Sequence, residues 1–209
     1  MTILALEFSS EQRSVALARD GQVLAEAVET GGYRVTHAFA LISQVLAQAG
    51  LAPAAVEVIA VGVGPGSYTG IRAAIAVAQG WQLARGVQLL GVSSAECLAA
   101  QAQAAQIFGR VNVVLDAQRG EFYLATWELS PLGRQELAPL AIVAAAGVAS
   151  RKAAGEMCVG PAADRVLFPS ATMVARLAAD RVDFVPGDQL MPIYLRETTF
   201  AKAPPCRVY

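Results

Sequence analysis

The chain has 209 residues, 55% of them hydrophobic and 16% charged, with a formal net charge of -1. That is enough apolar material for one large domain or two small lobes with a real core, and the near-neutral balance excludes attraction to nucleic acid by overall charge. Its three cysteines, Cys97, Cys158 and Cys206, are odd in number and widely spaced, which argues against a disulfide framework and leaves no paired-cysteine zinc motif.

The opening "MTILALEFSSEQRS" has no basic leader before its apolar run and reads as a first strand, "ILALEF", rather than a signal peptide. With no apolar run of membrane-spanning length, the expectation is a cytoplasmic protein without membrane contact. "RSVALARDGQVLAEAVE" predicts two strands around Asp20-Gly21, a hairpin signal because both central positions need positive φ. "THAFALISQVLAQAG" predicts a helix from the spacing of Ala38, Leu41, Ile42, Val45, Leu46 and Ala49, with Thr36 as N-cap and Gly50 ending it. "VEVIAVGVG" reads as a buried strand, "SYTGIRAAIAVAQGWQLAR" as a helix and "VQLLGV" as a strand. "SAECLAAQAQAAQ" reads as an alanine-rich helix without a sharp apolar stripe.

The plan then restarts. "RVNVVLDAQRGEFYLATWEL" predicts two strands around a turn at Arg119-Gly120, followed by a strand at "QELAPLAI", an alanine-rich helix, a strand at "EMCVG" and a closing helix at "SATMVARLAAD". Both halves open with an apolar strand ending in an acid, Glu7 in one and Asp116 in the other. The reading is two lobes, residues 1–106 and a smaller 107–209 whose tail from Phe200 is extended or disordered. Two such lobes suggest a nucleotide-binding cleft between them, an architecture that does not by itself establish activity.

The stretch "VGVGPGSYTG" holds four glycines in ten residues. It lacks the lysine of a P-loop, and the dinucleotide spacing fails, with Thr69 (counting from Gly64) or Ser67 (from Gly62) where a third glycine is required. Two readings remain even: a strand-to-helix junction whose backbone N–H groups meet an anion near Gly64, Gly66 and Ser67, or a tight turn that lets the helix pack closely. In the helix that follows, Gly70, Ala74 and Ala78 recur every four residues, with Ala73, Val77 and Trp81 alongside. Such a small-residue ridge permits close helix packing, either inside its own lobe, which periodicity favours, or against another subunit.

"GPGSYTGIR" with its apolar "AQG" helix, "ILALEFSSEQRSVAL", "VVLDAQRGEFY" and "MPIYLRE" together resemble the TsaB (YeaZ) family of tRNA threonylcarbamoyladenosine biosynthesis proteins. The resemblance implies an α/β, two-lobed actin/sugar-kinase/Hsp70-like (ribonuclease H-like) fold with a reduced second lobe. It implies a non-catalytic subunit docking on the TsaD transferase, with the TsaE ATPase completing the complex, tRNA met only through it, and a homodimer when alone. Pairing through the first-lobe helices favours a partner interface at His37, Leu41, Gly70, Ala73, Ala74, Val77, Ala78 and Trp81.

No catalytic or metal residue is assigned. TsaD-type subunits hold a metal through two histidines one helical turn apart, whereas this chain has His37 alone and places Ser93, Ser94 and Cys97 where the pair would fall. One histidine likewise gives no persuasive nucleophile pairing for a protease. No cofactor is expected for this chain, with ATP/ADP and Mg entering through the complex. Candidate phosphate contacts are Glu7, Ser9, Gly64, Gly66, Ser67 and Asp116. The family commonly has Asp at the position of Glu7, and the extra methylene alters metal-water geometry. Asp116, Arg119 and Glu121 read equally as a charged turn or as a functional cluster. The alternative is a weak ATPase or small-molecule kinase working in the cleft through Glu7 and Asp116. Direct tRNA binding finds little support in the scattered Arg72, Arg85, Arg110 and Arg119.

Overall fold

The computed structural model describes residues 1–31 and 37–196. The first sheet has the order β3-β2-β1-β4-β5, built from β1 (Thr2–Glu7), β2 (Gln12–Arg19), β3 (Gln22–Thr30), β4 (Val58–Gly62) and β5 (Gln88–Val92). β1 pairs antiparallel with β2 and parallel with β4. The second sheet, β8-β7-β6-β9, repeats the scheme with β6 (Gly109–Asp116), β7 (Glu121–Ser130), β8 (Gly133–Ala144) and a short parallel β9 (Met157–Val159). The helices are α1 (Ala38–Gln48), α2 (Tyr68–Arg85), α3 (Ser94–Ala104), α4 (Ala145–Ala153) and α5 (Ala171–Ala178). This is the expected two-lobed actin-like α/β fold with a reduced second lobe. The hairpin at Asp20-Gly21 forms with φ of 50° and 78°. Thr36, Cys206 and the tail from Phe200 lie outside the described residues; α1 starts after His37, which makes no side-chain cap.

Side-chain size alternates along the central strands and decides what covers each face. Leu4, Leu6, Val15, Leu17, Ile59 and Val61 point to one side and form a deep core with α1 and α2. Ala5, Ala16, Ala18 and Ala60 point to the other, where α5 packs through Met173, Val174 and Ala178. Small side chains on that face let a helix lie close to the backbone, and close approach maximises dispersion contacts. The first sheet lies within residues 2–92 and the second within 109–159, whereas the C-terminal segment does not stay with the second. α5 and the stretch up to Leu190 return to the first sheet.

α3 joins the lobes. Cys97 and Ala100 pack toward α5 and the first sheet, while Ala95, Leu98, Ala99 and Ala102 pack on Val111, Val113 and Leu115 of the second. A helix buried on both sides shows no apolar stripe, which accounts for the weak periodicity of its sequence.

The small-residue ridge of α2 faces inward. Ala74 and Ala78 are fully buried, Gly70 is buried beside them, and Leu41 of α1 belongs to the same core. Packing inside the lobe holds for these four, and the expected partner contact does not, because their surface is already covered. The outward face of α2 carries Arg72, Ala76, Gly80 and Leu83, with Ala73, Val77 and Trp81 half-buried on its flanks. Leu83 is 90% exposed and Phe39 of α1 is 69% exposed. Among the described residues no helix is long and apolar enough to cross a membrane.

The tight α5 face predicts that Ala16→Leu destabilises the protein by about 1–3 kcal/mol through overpacking. Urea unfolding measures this, and an unchanged midpoint would contradict the close packing of α5.

Candidate functional site

A cleft of about 740 Å³ separates the lobes. One wall is the β1–β2 turn with the start of α2, from Ser9 to Glu11 and Gly66 to Thr69; the other is Asp116 to Gln118 with Phe122 and Tyr123. The candidate contacts Ser9, Gly66, Ser67 and Asp116 line it, while Glu7 and Gly64 do not.

The glycines of the loop are required by the chain's own backbone. A Cβ on Gly66 would lie 2.1 Å from the carbonyl oxygen of Ser9, and one on Gly70 would lie 2.0 Å from that of Phe8. Gly64 has φ +89° and would meet Ile71 Cδ1 at 2.6 Å. The Ser67 N–H donates to Ser9 O at 2.6 Å, and the Ser67 hydroxyl accepts from the Gly70 N–H at 3.3 Å. Two amides at the mouth of α2 that could have met an anion are therefore bonded within the protein. At these two amides the loop is closed on the protein itself, as close packing of the helix requires.

Glu7 is completely buried. Its Oε1 accepts the Ser9 N–H at 2.7 Å and its Oε2 accepts the Ser94 hydroxyl at 3.0 Å. Gly62 makes room for it, since a Cβ there would sit 1.9 Å from Glu7 Oε2. Burial pushes the Glu7 carboxyl above its ordinary value, opposed by the hydrogen bonds from Ser9 and Ser94. As a phosphate or metal contact Glu7 is thereby corrected: its carboxylate is buried in the lobe, bonded to Ser9 and Ser94, and does not line the cleft.

Asp116 is exposed and caps its own turn, accepting the Gln118 N–H at 2.7 Å and Gln118 Nε2 at 2.8 Å. Gln118, Arg119 and Gly120 all have positive φ, of 64°, 59° and 75°. This is the structural turn, and Asp116 is part of its closure. Glu121 pairs instead with Arg196 at 2.5 Å.

These residues do not fit a metal-nucleotide site. Among the described residues the cleft lining includes the carboxylates Glu11 and Asp116 and no lysine or arginine, so there a polyphosphate would meet like charge without a counter-ion. Among the described residues no cluster of three or more His, Cys, Asp or Glu could hold a metal. Burial pushes the Cys97 thiol well above its ordinary value, which disfavours the thiolate a metal needs. His37 is exposed at the start of α1, with Nδ1 2.5 Å from Glu29 Oε1.

Sequence reasoning missed Gly62, the partner that admits Glu7, and the roles of Tyr194 and Arg196. The Tyr194 and Tyr68 rings lie 5.8 Å apart, and Arg72 covers Tyr68 at 5.2 Å. "PIYLRE" carried the only available signal, a tyrosine and an arginine beyond the last helix.

The profile of the tRNA N6-adenosine threonylcarbamoyltransferase (TsaD) family matches residues 35–174. The tRNA threonylcarbamoyladenosine biosynthesis protein TsaB of Escherichia coli is 33% identical over 128 residues, 61% of this chain and 55% of that protein. The Bacillus subtilis TsaB is 31% identical over 129 residues, 61% of this chain and 56% of its own length. The matched part of the chain thus spans about half the length of these curated relatives. The structure of YeaZ from Pseudomonas aeruginosa superposes with a TM-score of 0.76 at 29% identity, over 93% of this chain and 99% of that one.

Two outcomes follow from the contacts of Gly70 and Glu7. Gly70→Ala adds a Cβ against an immovable carbonyl and destabilises the protein by on the order of 2–3 kcal/mol, despite the helix preference for alanine. Urea unfolding reads this directly, and a stabilised variant would refute the contact. Glu7→Gln keeps the shape and removes the titration. A folded-state carboxyl raised above its ordinary 4.5 makes the wild type lose stability, relative to this variant, as pH rises from about that value. Below it the two converge. Unfolding midpoints from pH 4 to 8 measure the divergence, and parallel profiles would count against a raised Glu7.

Proposed function

The chain belongs to the family matched by the TsaD profile over residues 35–174 and is similar to the TsaB (YeaZ) proteins; we propose that it is a TsaB-type, non-catalytic scaffold or activating subunit of tRNA threonylcarbamoyladenosine modification, docking on the TsaD transferase. The observation that carries the docking role is Gly80. It lies inside α2 on the exposed face, and a Cβ there would meet nothing within 4 Å. A glycine inside a helix costs about 1 kcal/mol relative to alanine, and nothing among the described residues requires it. A partner helix approaching closely would.

Beside Gly80 on α2 stand the exposed Ala76 and Leu83, with Ala73, Val77 and Trp81 on the flanks of the helix, and α1 separately exposes Phe39 and His37. Large apolar side chains as exposed as Phe39 and Leu83 gain most by being covered. This face replaces the buried ridge as the docking surface, either with TsaD or, when the chain is alone, with a second copy. The non-catalytic part of the reading is supported by the Ser67 and Gly70 amides and Glu7, which are bonded internally. In this reading TsaE, ATP/ADP with Mg, and tRNA enter through the complex.

Gly80→Ala tests the reading with opposed effects. It raises the stability of the isolated chain by about 1 kcal/mol while weakening association, and Gly80→Leu weakens it further. Titration calorimetry and sizing chromatography with TsaD from the same organism measure association, and urea unfolding measures stability. Undiminished binding by both variants and by Leu83→Glu would move the interface elsewhere. Failure of the wild type to bind TsaD would overturn the role.

A further inference from the structure

Two motifs left without a role, "QRGEFY" and "PIYLRE", meet in the structure. Residues 184–196 form a strap laid along the first lobe. Val185 bridges to Leu89 of β5, its N–H 2.9 Å from the Leu89 carbonyl. Gly187 is held by α2, with its N–H on Gln82 Oε1 and its carbonyl on Gln79 Nε2, both at 2.7 Å. Leu190 is buried in the first core, and the Ile193 N–H reaches the Val63 carbonyl at 2.9 Å. Up to Ile193 the strap is part of the first lobe.

At Arg196 it is bonded to the second. Arg196 Nη2 donates to the Ala117 carbonyl at 3.0 Å and to Glu121 Oε2 at 2.5 Å. Both acceptors flank the β6–β7 turn, which carries Asp116 and Gln118 into the cleft wall. The turn is closed by its own bonds, Ala117 N–H to Glu121 O at 3.0 Å and Glu121 N–H to Gln118 O at 3.1 Å. The strap is likewise anchored without Arg196. The pair's consequence therefore lies between the lobes, which are otherwise joined by the alanine-rich face of α3, by its bonds from Arg134 to Glu96 and from Gln103 to the Ser130 carbonyl, and by the chain's return from β9 to α5.

We propose that Arg196 is a latch: its guanidinium holds the second wall of the cleft at a fixed distance from the first, and its release lets the cleft open. Both partners are about one-third exposed, at 37% and 39%, so the latch is within reach of salt and of any molecule that covers it. Tyr194, two residues before Arg196, stacks near Tyr68 at the start of α2, which ties the latch to the helix with the exposed face. The proposal is independent of the partner's identity.

The test is the distance between nitroxides on Gln22→Cys and Gln135→Cys, exposed positions on the two lobes, in a Cys206→Ser background. Cys97 and Cys158 are buried and escape labelling. Pulsed electron resonance should give one narrow distance distribution for the parent, and a longer or broader one for Arg196→Ala and for Glu121→Gln. The double variant should go no further than Arg196→Ala, which removes both of the guanidinium's bonds. Raising salt to about 1 M should open the parent while leaving Arg196→Ala unchanged. Hydrogen exchange at the Ala117 and Glu121 amides should quicken about two- to fivefold in the variants. Unchanged distributions in both single variants, or equal opening of parent and Arg196→Ala by salt, would overturn the latch. If Arg196→Ala does not fold, Glu121→Gln with the salt series decides the question in the same way.

Discussion

The carbonyl oxygens of Phe8 and Ser9 press on the Cα atoms of Gly70 and Gly66, and the rest of the first lobe depends on that contact. It brings the β1–β2 turn onto the start of α2 and sets how deeply α2 sits on the sheet. Ala74 and Ala78 then reach the strands directly, one and two turns further on. The same closeness brings the Ser67 N–H onto Ser9 O and leaves Glu7 covered above Gly62. A loop composed like an anion cradle thus becomes a backbone-to-backbone joint. The cost of an isolated buried carboxyl is reduced by two hydrogen bonds from Ser9 and Ser94 and by a raised proton affinity.

That joint separates architecture from chemistry. The cleft persists because the two lobes persist, each with its own sheet and with α3 between them. Its walls present neutral polar groups, aromatic edges and two acids, a set suited to neither phosphate nor a metal. On the outside of the first lobe α1 and α2 expose Phe39, Leu83 and a glycine that no contact among the described residues explains, the face proposed for docking. A fold of the kinase type can in this way serve association, since activity belongs to particular side chains and not to the fold.

Much of this was legible in the sequence. Strand and helix order, the Asp20-Gly21 hairpin and the turn at Gly120 depend on periodicity and on local backbone preference, which neighbouring residues carry. The repeated plan of the two lobes was legible for the same reason. The direction of the α2 ridge was not. Gly70, Ala74 and Ala78 define a face of the helix, yet a face acquires an inside only when a sheet is laid against it. Nor could the reach of Glu7 be read, because it depends on Gly62 and Ser94, one on a neighbouring strand and the other at the start of α3.

By itself the sequence determined the elements, their order, the lobed class and the family, since each rests on residues close together or on motifs with a fixed composition. Only the tertiary structure decided which amides of the glycine loop were already bonded, which face of α2 stayed free, and that Arg196 would meet Glu121. Those are contacts between residues up to 75 apart in the chain, and no local preference specifies a bond that exists only after distant strands have been brought into register.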